Sequence, residues 1–278
     1  QTEVGSVLTD AAGAYTIAVN GGGSVLLEFE ASGRLPVQRR VDVVWGEWTA
    51  IDDVVLISID VESQTESPVP PAGHVHTAST ETDDDGDRTA RLYLRPGTEL
   101  SARLPDGSSV PLPGVLDISV TEYTVGDTGP EAMPGLLPAS SGYTYAAEVR
   151  VAQAAALGAT RVELTQPAVL YLDDFVGFGP GAPIPVGVYD RELGAWVSTE
   201  NGQVIRVLSV AAGVPQIDLD GDGDAATEGE LDAFGIDAGE RDRIAALVTV
   251  EYEGGPVDLW RSELPHFSAW DLNWPLGP

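Results

Sequence analysis

The sequence predicts a mainly β protein, built as two antiparallel β-sandwich-like domains of which the second carries a short helical insertion behind an acidic loop. Three observations predict it. Short apolar runs alternate with polar residues through most of the chain, and turn segments such as DAAG, NGGGS, DGSS, RELG and TENG punctuate them at strand-length intervals. A helical period replaces the alternating one over a sustained stretch only in 227–247.

The first domain is expected over residues 1–61, with SVLT, AYTIAVN, SVLLEFEA, VQRRVDVVW and IDDVVLISID as its strands. In SVLLEFEA, alternation puts Val25, Leu27 and Phe29 on a core face and Glu28 and Glu30 on a wet one. A sandwich normally has about seven strands, so at least one more is expected ahead of Gln1. Residues 62–87, ESQTESPVPPAGHVHTASTETDDDGD, hold almost no large apolar side chain and read as a linker. His74 and His76 have the spacing of one strand face but read here as solvated side chains rather than metal ligands. DDDGDR reads as a charged turn entering the next strand rather than a second cation site.

The second domain is expected over 88–262. Its strands are TARLYLRP, ELSARLP, LDISVTEYTV, YTYAAEVRV, RVELTQPAVLYL, PIPVGVYD, GAWVST and QVIRVLSV, with a short helix at AQAAALGA. The helical insertion spans 215–247: Leu231 and Phe234, then Ile244 and Leu247 beyond Gly235, recur at helical intervals, and Asp237 followed by Glu240 marks a capped start. ALVTVEYEG and VDLWRSEL return to strand. WGEW and DLNW read as large aromatic anchors. Residues 263–278 form an aromatic, proline-bound tail in which Phe267, Trp270 and Trp274 are expected to pack on the rest of the molecule.

Composition excludes several functions. The chain has 44 acidic against 14 basic residues, a formal charge of −30, which repels nucleic acid and anionic membrane surfaces. Every basic residue is Arg, so Schiff-base and P-loop lysine chemistries are absent, and with no Cys there are no disulfides, thiolate zinc sites or cysteine nucleophiles. No run is long enough for a membrane span, and the first residues lack the pattern of a signal peptide.

IDLDGDGDAATEGELDAFGI, residues 217–236, carries the chemistry. An EF-hand-type loop needs oxygen ligands at positions 1, 3 and 5, Gly at 6, a carbonyl at 7 and a bidentate acid near 12. Asp218, Asp220, Asp222 and Gly223 meet the first four, and Asp224 offers the carbonyl. The second half departs, with Ala226 at 9 and Gly229 at 12, so Glu228, Glu230 or Asp232 must close the shell. Glu230 is the choice. Uncompensated carboxylates at this spacing repel, and Asp-Gly repeats pack a core poorly, which together favour calcium over an empty acidic loop. A catalytic acid pair needs a buried, rigid setting that such a run does not provide, and no G-x-S-x-G, H-E-x-x-H, P-loop or dinucleotide motif occurs.

Two long stretches carry a family likeness. TDAAGAYTIAVNGGGSVLLEFEASGRLPVQRRVDVVWGEWTAIDDVVLI resembles the transthyretin-like domain that teneurins and bacterial Rhs/YD-repeat proteins carry ahead of their shell. TEYTVGDTGPEAMPGLLPASSGYTYAAEV, GFGPGAPIPVGVYDRELGAWVSTENGQV and HFSAWDLNWP resemble the segment that follows it in bacterial Rhs-type proteins. The resemblance implies a non-catalytic plug or spacer of a secreted or cell-surface protein, with a YD-repeat shell, and any toxin it encloses, beyond Pro278. The partner would be that downstream shell of the same polypeptide. Two departures stand: teneurin ectodomains contain cysteine and this chain has none, and DLDGDGD matches no feature of known role in the family. The competing expectation is a recognition module that binds a carbohydrate or a partner protein on another cell through a sandwich face or the GFGPGAP loop. A third is an enzyme whose site is assembled only in the folded chain.

Overall fold

A computed structural model describes residues 5–138 and 141–274. The protein is mainly β, with antiparallel sheets and few, short helices. The N-terminal ladder pairs β1 (Gly23–Phe29) with β2 (Val37–Val43) in a hairpin running from Gly23 opposite Val43 to Phe29 opposite Val37. Among the described residues, the other expected strands of this region form no ladder. The 51–60 segment instead runs beside the hairpin base through a bridge between Arg34 and Ser58 and the bond from Leu35 N to Ile57 O at 3.0 Å. WGEW is not an anchor either: Trp45 is 71% and Trp48 88% exposed.

The expected linker at 62–87 is corrected by the structure. It forms β3 (Ser63–Ser67), β4 (His74–Asp83) and the start of β5 (Gly86–Leu94). Backbone pairing needs no apolar side chains, and the threonines of the segment suit a pleated surface; Thr80 and Thr89 bond across the β4–β5 pair at 2.8 Å. The acidic run is a turn, as expected, clamped by Arg88 with both Asp83 oxygens at 2.8 Å.

The chain continues through β6 (Leu100–Arg103), β7 (Ser109–Pro111), β8 (Gly114–Glu122), α1 (Gly129–Ala132), β9 (Ala146–Val151), α2 (Ala152–Ala156) and β10 (Arg161–Asp173). Next come β11 (Pro183–Ile184), β12 (Gly187–Asp190), β13 (Ala195–Ser198), β14 (Gly202–Ala211) and β15 (Val214–Asp218). Then follow α3 (Glu228–Ala233), α4 (Ala238–Glu251), β16 (Val257–Phe267) and β17 (Ala269–Asp271). One sheet runs β11-β14-β16-β10-β5-β4, with β15 on β14, β6 on β10 and β7 on β6; the other runs β13-β12-β17-β9-β8-β3. Leu92, Leu170 and Trp260 from the first meet Ile118, Val149 and Trp270 from the second in one core, which makes the pair a sandwich. Pro167 lies in β10 where its register with β16 shifts between Glu163 and Ala168; proline has no N–H to give to the ladder.

Both outer faces of the sandwich are covered. Leu231, Ile244 and Val248 of α3 and α4 cover the larger sheet over Val169, Ile205 and Leu259. On the smaller sheet, Leu35 of the hairpin base joins Tyr123, Ala146 and Tyr189. Gln38 N to Pro134 O at 2.7 Å and Arg39 Nη1 to Met133 O at 2.9 Å fix the hairpin there.

Two further expectations are corrected. ALVTVEYEG is helix up to Glu251, because α4, started by the Asp237 carboxylate on Glu240 N at 2.8 Å, turns Ile244 and Val248 onto the sheet and overrides the strand preference of Val and Thr. Residues 263–274 of the expected tail are not a tail; 275–278 lie outside the described residues. β16 runs through Glu263 to Phe267, and β17 is inserted between β12 and β9. The expected packing of the aromatics does occur: Phe267 and Trp270 are each 1% exposed, and Trp274 stacks on Phe178 with ring centroids 4.2 Å apart.

Candidate metal centre

The acidic loop leaves the end of β15 and returns to the same sheet edge, where Ala226 N donates to Ile217 O at 2.7 Å. Asp218 is the inward carboxylate, 1% exposed. Its Oδ1 accepts from Asp220 N at 3.1 Å and Gly221 N at 2.7 Å, and its Oδ2 from Gly223 N at 3.0 Å. Gly221 and Gly223 have φ of 83° and 88°, the left-handed conformation that side chains disfavour. The winding brings Asp218, Asp220 and Asp222 together, each offering an oxygen within 4.8 Å of the others. An all-oxygen donor set on a coiled loop fits a hard cation such as calcium.

The carboxylates of Asp224 and Glu230 lie outside this group. Asp224, expected to offer its carbonyl rather than its carboxylate, donates its N–H to Asp222 Oδ1 at 2.8 Å. Glu230 is the third residue of α3 and closes a capping box, its Oε2 accepting from Thr227 N at 2.8 Å and Thr227 Oγ1 at 2.7 Å. Those bonds hold its carboxyl below the usual range. The T-x-x-E spacing at 227–230 is itself the capping-box signature, so this competing role was present in the sequence.

His76 is not solvated, being 1% exposed where β3, β4 and β8 meet, and His74 is half-buried beside it. Val120 N donates to His76 Nε2 at 3.2 Å, so Nδ1 carries the proton and donates to Ser63 Oγ at 2.9 Å. The Ser63 hydroxyl then points at His74 Nε2, 3.0 Å away. Both His76 nitrogens are committed, and the pair is a structural relay rather than a metal site.

Burial, reinforced by His74 and opposed by Asp60, pushes His76 down to about 4. Burial likewise pushes His266 down to about 4. The unfolded chain takes up these protons near 6.5 and the folded chain only near 4, so stability is expected to fall as pH drops between those values. Asp271 works in the opposite sense, since burial raises it to about 6 from 3.8 and ionisation costs stability as pH rises through that window. Asp271→Asn should therefore raise the melting temperature at pH 7 and leave it little changed at pH 3.5. Urea or thermal melts across pH 3.5–7.5 check both expectations.

A second acidic concavity, about 510 Å³, is lined by Arg91, Asp173, Asp174 and Asp258 among others. Its carboxylates hold structure. Asp173 accepts from Thr89 N at 2.7 Å, Asp174 from Trp260 Nε1 at 2.8 Å and Gly177 N at 3.1 Å, and Asp258 pairs with Arg206.

Residues 1–56 match the family model of the teneurin TTR-like domain. No curated protein and no solved structure matches the chain. The matched stretch contains the β1–β2 hairpin and is similar to a structural module of teneurin-like proteins. Among the described residues no helix is long and apolar enough to cross a membrane.

Proposed function

We propose that the chain is a non-catalytic plug or spacer of a secreted or cell-surface protein of the teneurin-like, Rhs/YD-repeat kind, stabilised by calcium at the Asp218–Asp222 loop. The observation that carries this reading is the teneurin TTR-like match at 1–56, in a hairpin fixed to the sandwich by Gln38 and Arg39. The buried ionisable groups support it, since Glu240, Arg88 and His76 are spent on bonds that join elements. The partner in this reading is a YD-repeat shell encoded downstream in the same polypeptide. Mixing the chain with that shell, produced separately, should give a complex that co-elutes in gel filtration; two independent peaks would count against a plug.

Exposure of Trp45 and Trp48 favours a second reading, recognition of a glycan or of another cell's protein. Under it, Trp48→Ala abolishes binding in a glycan or cell-binding assay without changing the melting temperature.

A further inference from the structure

The chain has two Asn-Gly pairs, Asn20–Gly21 and Asn201–Gly202. Asparagine is a thermolabile residue, and a following glycine lacks the Cβ that would hinder its amide nitrogen from reaching the asparagine side-chain carbon. The approach also needs a main chain free to turn, so local structure decides which pair reacts.

The two pairs stand in opposite settings. Gly202 is the first residue of β14, opposite Ile184 of β11, and is seated against β16: a Cβ there would run into Ser262 Oγ and lie 2.6 Å from Arg261 O. Turning its backbone means opening the sheet, and core strands open only near the global stability. Asn20 is exposed, and Gly21 precedes β1 outside any ladder. The N–H of Gly21 meets no backbone acceptor among the described residues; the first backbone bond of the hairpin comes one residue later, from Gly22 N to Val43 O at 2.8 Å. In the Asp-Gly pairs the following nitrogen is committed: Gly107 N donates to Leu104 O at 2.9 Å, Gly221 N to Asp218 Oδ1 at 2.7 Å and Gly223 N to Asp218 Oδ2 at 3.0 Å.

We propose that Asn20–Gly21 is a self-modification site, at which Gly21 N attacks Asn20 Cγ and the pair passes through a succinimide to isoaspartate and aspartate, while Asn201 is protected by its sheet. The new C–N bond forms as the Gly21 amide proton passes to water and the Cγ–Nδ2 bond breaks, releasing ammonia. Water then opens the ring at one of its two carbonyls. Opening at the main-chain carbonyl leaves isoaspartate, with the chain running through Cγ; opening at Cγ leaves ordinary aspartate. Nothing is oxidised or reduced, and either route adds one negative charge.

The site is placed to act on Trp45. A Cβ on Gly21 would lie 2.7 Å from Trp45 N, and one on Gly22 2.6 Å from Trp45 Nε1. The backbone is packed on this residue without spare room, and isoaspartate, which adds a methylene to the main chain, moves it off an indole that is already 71% exposed.

The test is incubation of the full chain in warm, mildly alkaline buffer, with mass spectrometry of its peptides over time. A mass gain of about one dalton is expected at position 20, at least tenfold faster than at position 201, with isoaspartate identified by electron-transfer fragmentation. In urea the two rates should converge, since both pairs are then free. Asn20→Gln should abolish the gain at position 20, because its ring would need six members, and leave the melting temperature unchanged. Acrylamide quenching of tryptophan fluorescence should increase with conversion in the wild-type chain and stay constant in Asn20→Gln. Equal rates at the two positions in the folded chain, no gain at position 20, or a tenfold difference that persists in urea would overturn the proposal. Quenching that does not follow conversion would overturn the link to Trp45.

Discussion

Glu240→Ala is expected to destabilise the protein by about 3–5 kcal/mol, the cost of breaking a buried ion pair by removing one partner. Glu240, in the first turn of α4, is fully buried. Arg261 Nε reaches its Oε1 at 2.6 Å, Arg261 Nη2 its Oε2 at 3.0 Å and Arg95 Nη2 its Oε2 at 2.9 Å, while the Tyr171 hydroxyl also donates to it. The single carboxylate thus bridges two arginines, one on β16 and one just after β5, with Glu263 and Asp237 as their further partners, and ties the helical layer to the sheet. Its removal leaves Arg261, 4% exposed, with only the more exposed Glu263 as carboxylate partner. Denaturant unfolding measures the loss. Glu240→Gln keeps the shape but not the charge, and should also be strongly destabilising if the ion cluster rather than packing fixes α4.

Ending the chain after Glu263 is expected to prevent folding of the sandwich altogether. The cut removes Phe267 and Trp270 from the core, and loss of one large aromatic alone costs about 3–5 kcal/mol. It also deletes β17, the strand that joins β12 and β13 to β9, and so splits the smaller sheet. Circular dichroism and gel filtration of the shortened chain should show a non-cooperative melt and aggregation. A monomer with an unchanged melting temperature would mean that the strand is dispensable.

The parts of the fold that sequence made legible are those where local pattern and tertiary packing agree. TARLYLRP, RVELTQPAVLYL and QVIRVLSV alternate or run apolar and become β5, β10 and β14, and the Asp237–Glu240 spacing marks the start of α4. Elsewhere packing overrode pattern. Val248 reads as strand yet is buried on a helix, because the cap and the face shared with Ile244 decide the backbone. The polar 62–87 segment pairs through its main chain, and its one deeply buried histidine, His76, is accommodated by Ser63 and Val120, groups far from one another in sequence. Of the acidic loop, the three aspartates set by residue spacing alone, Asp218, Asp220 and Asp222, offer oxygens within 4.8 Å of one another. Glu230, chosen to close the shell, is held instead by its nearer partner Thr227, a bond that competes with loop ligation.

The central claim is a structural module whose acidic loop is held by calcium, and isothermal titration of the metal-free protein with Ca²⁺ tests it most directly. One calcium per chain should bind with measurable heat and raise the melting temperature as its concentration rises, since a ligand of the folded state alone stabilises it by mass action. Asp220→Ala should abolish both effects. Absence of binding heat together with a melting temperature indifferent to calcium, in the wild-type chain, would contradict the account and leave the loop an acidic turn held only by its own backbone.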